Sequence, residues 1–246
     1  MVRHTLGPIL GLAVKDIRTL LPTLTATVML AAAGTGFTVP ECSYEDEPAV
    51  LTDYEQWPFT LVDTVYRLPA DYTPPDLVPL TNAGFSDERL VRELVIADLA
   101  ELRAEAEARG HPVEVQSAYR SYEYQEQTFA FWVAQEGREA ALKSSARPGH
   151  SEHQLGTTID LRSAGGPAPW DLADWAATPA GAWLTANSWR YGFVLSYPRD
   201  RSGVTCYVYE PWHYRYVGRE VAAAVNDSGL TLREWLWQYH LELQHD

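Results

Sequence analysis

Cysteine is scarce in this chain of 246 residues, which has only Cys42 and Cys206. At most one disulfide can form between them, and an oxidising compartment would favour it. The alternative is two unpaired thiols, with Cys206 a small apolar residue on a buried strand. Clustered cations are missing as well: 19 Lys and Arg face 33 Asp and Glu, for a net charge of −14, and no basic run occurs. Phosphate backbones are held by grouped cations, so nucleic acid is excluded as an expected partner. No internal repeat or low-complexity tract is present either.

A chain of this length with 46% apolar residues suits one substantial domain with room for an N-terminal appendage. Arg3, Lys15 and Arg18 precede an uncharged stretch from Thr19 to Pro40. Its more apolar part, Leu20 to Ala33, has the length of a signal peptide, and Ala31 to Ala33 offers a small-residue cleavage site. The whole stretch approaches the ~20 residues that span a bilayer. Residues 1–40 are therefore expected to be a signal peptide or a membrane anchor, which implies an exported, cell-envelope protein with N-terminal membrane contact in the second case. A buried N-terminal helix is the rival reading. Val-Pro-Glu before Cys42 does not make a lipid-attachment motif. Residues 41–56, rich in Glu and Asp, read as an exposed acidic linker, and the domain is expected over 57–246.

Within the domain, Leu68 to Pro79 is punctuated by proline and reads as irregular surface chain. Ser86 or Asp87 can cap a helix to about Arg109, stopped by Gly110-His111-Pro112. A strand is expected at Val113 to Ser117. A helix from Ser121 should end at Gly137 and place Phe129, Phe131, Trp132 and Val133 in the core. Thr157 to Leu161 reads as a strand with Thr158 and Asp160 on one face. Thr178-Pro179 caps and opens a helix running through Trp183 to Trp189 and closed by Gly192. Phe193 to Tyr197 and Cys206 to Tyr209 read as strands, and Arg219 to Val225 and Thr231 to about Leu243 as helices. Irregular alternation of these elements favours α+β over a doubly wound sheet.

The chemistry concentrates in Gly149-His-Ser-Glu-His-Gln-Leu-Gly-Thr-Thr-Ile-Asp160 and in Glu210-Pro-Trp-His213. Hydrolytic zinc sites commonly use three nitrogen or oxygen ligands, leave a fourth position for water and set a carboxylate beside it. His153, Asp160 and His213 can be the ligands and Glu210 the base. Gly156 and the β-branched residues after it argue against one helix through the first motif. A loop carrying His153 followed by a strand carrying Asp160 is expected instead. His150 is equally able to bind zinc but reads as a loop or cleft-lining side chain.

Together with Ser117-Ala-Tyr-Arg120-Ser121, Gln125 and the Arg215-Tyr-Val-Gly218 sequence after His213, these motifs resemble those of the VanY-type zinc D-alanyl-D-alanine carboxypeptidases. The likeness runs over roughly residues 57–220. It implies a small single-domain α+β metallopeptidase with a central antiparallel sheet flanked by helices. It also implies one Zn2+ held by His153, Asp160 and His213, with Glu210 as base. Arg120 would face the substrate, where it could hold a carboxylate or stabilise an oxyanion, and Gln125 and Ser151 would lie in the cleft. Thr158 departs from the small alanine usual between the glycine and the aspartate, which alters packing and removes no catalytic atom.

The implied reaction is hydrolysis of the C-terminal peptide bond of a peptidoglycan stem peptide. An L,D-carboxypeptidase or an endopeptidase could share the same metal centre. A non-catalytic peptidoglycan-binding module would have no need of Glu210.

Overall fold

The computed structural model describes residues 39–243, so the export segment expected over residues 1–40 lies outside the described residues except for its last two. Among the described residues no helix is long and apolar enough to cross a membrane.

In chain order the structure has β1 (Glu47–Pro48), β2 (Tyr66–Arg67), β3 (Leu77–Pro79), β4 (Leu90–Arg92), α1 (Ile96–Ala108), β5 (Val113–Ser117), α2 (Tyr122–Glu136) and α3 (Arg138–Ser144). There follow β6 (Thr158–Ser163), α4 (Pro179–Asn187), β7 (Phe193–Leu195), α5 (Ser202–Thr205), β8 (His213–Tyr216), α6 (Arg219–Ser228) and α7 (Leu232–Leu243). Strands β5, β6, β8 and β7 form a four-stranded sheet in that order, antiparallel throughout. The expected α+β class and central antiparallel sheet are what the chain forms.

Side chains on a strand alternate between faces, and here the alternation separates core from chemistry. Ile159 and Leu161 on β6, and Tyr214 and Tyr216 on β8, join the main core with Leu99, Leu102 and Ala106 of α1 and Leu184 of α4. The intervening residues, Thr158 and Asp160 on β6 and His213 and Arg215 on β8, occupy the opposite face and are buried too. Each strand is thus buried on both sides, one side apolar and the other polar.

Helix α2 starts where expected, with Ser121 accepting a hydrogen bond from the Tyr124 amide, and Thr178 caps α4 in the same way. Of the α2 aromatics assigned to the core, Phe129 is buried whereas Phe131 is 55% exposed. Those two positions cannot share one buried helix face, being two residues apart.

Two further expectations are corrected. The start of the helix proposed from Ser86 is strand β4, paired antiparallel with β3, and α1 begins only at Ile96. Pairing with Leu77–Pro79, together with the Arg92 amide donating to the Gly156 carbonyl, outweighs the helical spacing of Leu90, Val91 and Leu94. The strand expected at Cys206 to Tyr209 is instead the end of α5 and an irregular segment, with Cys206 at φ 68. Cys206 is disulfide-bonded to Cys42, and the amide of Val208 donates to the Lys143 carbonyl, so neither follows a strand ladder.

Residues 41–56, expected as an exposed acidic linker, are mostly exposed and are also fastened to the domain. Glu47 and Pro48 pair in parallel with Tyr66 and Arg67, and the Asp46 carboxylate meets Arg147 and His150 at 2.9 Å each. Of the acidic residues there, Asp46 pairs with Arg147 and bonds the buried His150, and the disulfide holds the segment near its start.

Candidate metal centre

Register brings the first two site residues together. Asp160 on β6 and His213 on β8 are direct cross-strand partners, and His213 Nδ1 lies 3.3 Å from Asp160 Oδ1. His153 enters from the 3-10 turn Glu152–Leu155, which Ser151 caps by accepting from the His153 amide. The turn ends at Gly156, in the left-handed region at φ 72, where a Cβ would come within 2.9 Å of Arg92 Cγ. Glycine is therefore required for the chain to leave the turn and enter β6.

His153, Asp160 and His213 each offer a ligand atom, and these atoms lie within 4.8 Å of one another. Each imidazole is oriented through its other nitrogen. His153 Nδ1 donates to the Ala118 carbonyl at 2.7 Å, which leaves Nε2 facing Asp160 at 3.4 Å with no hydrogen-bond partner among the described residues. His213 Nε2 donates to Glu152 at 2.9 Å, which turns Nδ1 toward Asp160. Two imidazole lone pairs and a carboxylate oxygen, all buried and converging, form a donor set suited to zinc with one coordination position left open.

Glu210 is placed by a tight turn. The His213 amide donates to the Glu210 carbonyl at 3.1 Å, and Pro211 occupies the second turn position, which its fixed φ suits. The Glu210 carboxylate lies 3.6 Å from His213 Nδ1 and is 13% exposed. Burial pushes its carboxyl up to about 7 although His213 opposes the rise, and Asp160 adds to it. Burial lowers His153 to about 4, helped by the Arg120 charge. Asp160 is lowered as well: burial alone would raise it, but the two histidines hold it well below the usual carboxylate range.

Arg120 follows β5, and its amide donates to the His153 carbonyl at 3.3 Å. Arg120 is half-buried as a residue, while its Nε is buried with no hydrogen-bond partner among the described residues. Desolvation lowers its pKa, and the neighbouring Asp160 and Glu210 oppose that shift. A guanidinium so placed retains donors for an anion brought to the site.

Gln125 and Ser151, expected in the cleft, make their contacts with the protein's own backbone. Gln125 is 1% exposed and donates to the Ala146 carbonyl at 2.7 Å, while Ser151 serves the His153 turn. His150, expected as a loop or cleft-lining side chain, is a buried loop residue: it is 1% exposed, with Nδ1 2.8 Å from the Asp63 carbonyl and Nε2 2.9 Å from Asp46. It ties the N-terminal segment to the first motif, and with both ring nitrogens engaged it is not among the three grouped ligands.

Sequence reasoning gave no role to Glu152 and Arg215, which stand in the quoted motifs, nor to Ser196. Glu152 carries the hydrogen bond that orients His213, and it also accepts from Ser196 and Arg215. Burial opposes its ionisation, but His213 and Arg215 more than offset that and hold its carboxyl at about 2. The available signal was the period of two on β8, which sets Arg215 on the same face as His213.

Residues 88–219 match the VanY family, D-alanyl-D-alanine carboxypeptidase. YodJ of Bacillus subtilis, a carboxypeptidase by name, is 36% identical over 71% of this chain, which spans 65% of YodJ. Among solved structures, the vancomycin-resistance D,D-pentapeptidase VanY in complex with Zn(II) is 32% identical with a TM-score of 0.63, over 73% of this chain and 99% of that one. The LD-carboxypeptidase LdcB is 34% identical with the same TM-score of 0.63, over 72% of this chain and 86% of that one. With more than half of its length matched and its site residues on the matched segments, the chain belongs to the VanY family of D-alanyl-D-alanine carboxypeptidases.

Proposed function

We propose that the protein is a zinc-dependent carboxypeptidase that removes the C-terminal D-alanine of peptidoglycan stem peptides, and that it works in the cell envelope after export. The observation that carries this reading is the convergence of His153, Asp160 and His213 at one point, with Glu210 and Arg120 beside them. In this reading His153 Nε2, His213 Nδ1 and an Asp160 oxygen hold the zinc, and the Zn(II) complex of the similar VanY supports that metal. Zinc bound there supplies a Lewis acid for the scissile carbonyl and for a water molecule.

Glu210 takes a proton from the attacking water and delivers it to the leaving amine, a role suited to a carboxyl lifted to about 7 by burial. Arg120 holds negative charge on the substrate, either the terminal carboxylate or the oxyanion that develops on the carbonyl. Gln125 and Ser151 contribute as braces of the surrounding loops. No side chain acts as a nucleophile. The disulfide between Cys42 and Cys206 supports an oxidising compartment, in keeping with an apolar segment ahead of it.

Defined pentapeptide and tetrapeptide stems, incubated with the protein and analysed by mass, test the reading. The expected product is the pentapeptide shortened by one D-alanine, absent with chelator and restored by zinc. Likeness to LdcB favours an L,D-carboxypeptidase as second reading, and shortening of the tetrapeptide alone would establish it. Cleavage within the stem would indicate an endopeptidase, and zinc binding with no turnover a binding module.

A further inference from the structure

We propose that Glu152 is the positioning residue that makes His213 a metal ligand, and that Ser196 and Arg215 hold it in place; the proposal rests on the zinc site read above. Glu152 sits one residue before His153 in the same 3-10 turn and is 5% exposed. Its Oε2 accepts from His213 Nε2 at 2.9 Å and from Ser196 Oγ at 2.7 Å, and its Oε1 accepts from Arg215 Nη1 at 3.1 Å. Arg215 is fully buried, and its Nη2 donates to the carbonyls of Trp57 at 3.1 Å and Thr60 at 2.7 Å. Two donors, Ser196 and the anchored Arg215, therefore fix the carboxylate independently of the imidazole.

Two consequences follow from this geometry. With its Nε2 proton committed to Glu152, His213 presents a lone pair at Nδ1 on the side of Asp160 and Glu210. Hydrogen bonds of this kind to a ligating imidazole set its tautomer and ring orientation, and their loss typically weakens metal binding by about 10- to 100-fold. Glu152 also joins the two motifs: it is covalently next to His153 and hydrogen-bonded to His213, so it links the ligand from the loop to the ligand from β8. A carboxylate needed only to neutralise the buried Arg215 would require no contact with His213.

The test compares the parent with Glu152→Gln, Glu152→Ala and Ser196→Ala. Zinc affinity is measured by competition with a chromophoric chelator, and thermal unfolding is followed on the metal-free forms. Glu152→Gln, which can still accept from His213, should weaken zinc about tenfold, and Glu152→Ala about a hundredfold. Ser196→Ala, which leaves the Glu152–His213 bond in place, should shift affinity in the same direction by less than either.

In the cobalt-substituted protein, the visible band that reports tetrahedral geometry should weaken in the same order. Parental zinc affinity and cobalt band in the Glu152 variants would overturn the proposal, whatever happens to their melting temperatures. If the alanine variant fails to fold, the other two decide by the same criterion. A parent that binds no zinc would instead refute the reading of the site, and the Glu152 proposal with it.

Discussion

Asp160 and His213 face each other across β6 and β8 in register, with Asp160 Oδ1 3.3 Å from His213 Nδ1. The pairing that builds the sheet thus builds two thirds of the donor set. The same register places Ile159 opposite Tyr214 on the core face. A one-residue slip would exchange the two faces, putting the donors into the apolar core. Packing and metal chemistry therefore select the same alignment.

Asp160→Asn tests the donor set directly. It keeps the side-chain volume and removes the buried charge, so the metal-free protein should still fold with a cooperative melt. Zinc should bind more weakly by over the ~100-fold expected from losing only an outer hydrogen bond to a ligand. Competition titration measures it, and near-parental affinity would exclude Asp160 as a ligand.

Gly156→Ala should cost about 1 to 3 kcal/mol, because the residue is held at positive φ and the added Cβ meets Arg92 and Leu77 side chains. Since Gly156 ends the turn that carries His153, zinc affinity should fall along with stability. Urea unfolding and zinc titration of one preparation check both.

Replacing Cys42 and Cys206 together by serine should lower stability by about 2 to 5 kcal/mol, the range for a bond closing a long loop. The bond spans a sequence separation of 164. Limited proteolysis should then cut first within residues 41–56, which the bond holds at one end. Unchanged resistance would mean that the Asp46 contacts and the β1–β2 pairing suffice.

Acid should act on the metal-free protein through its lowered buried carboxylates, Asp160 and Glu152, of which Glu152 can be tested alone. Its folded value of about 2 lies below the ordinary 4.5, so the stability it contributes is full above about 4.5 and is lost as pH falls toward 2. In Glu152→Gln the fall in melting temperature over that window should be shallower than in the parent. An identical slope would mean that another carboxylate dominates acid unfolding.

Much of the site was legible because its residues cluster in two short motifs: the Gly156 break and the β-branched run after it foretell a loop followed by a strand. The helix caps at Ser121 and Thr178 were legible for a similar reason, since a cap is a local event. Long-range contacts were not. Strand β4 depends on pairing with β3, and the course of Cys206 to Tyr209 depends on a disulfide partner far away in sequence. Residues 41–56 look like a linker in composition, yet Asp46 meets Arg147 and His150 across the fold. Glu152 escaped notice because its role exists only once β8 brings His213 and Arg215 to it.

Glu210→Gln puts the central claim to its most direct test, with zinc content and D-alanine release from a pentapeptide stem measured on the same preparation. Glu210 is placed as the base and not as a ligand, so bound zinc should stay at the parental level while turnover falls by about a thousandfold. Parental turnover with zinc retained would contradict that assignment, and loss of zinc would make Glu210 a ligand.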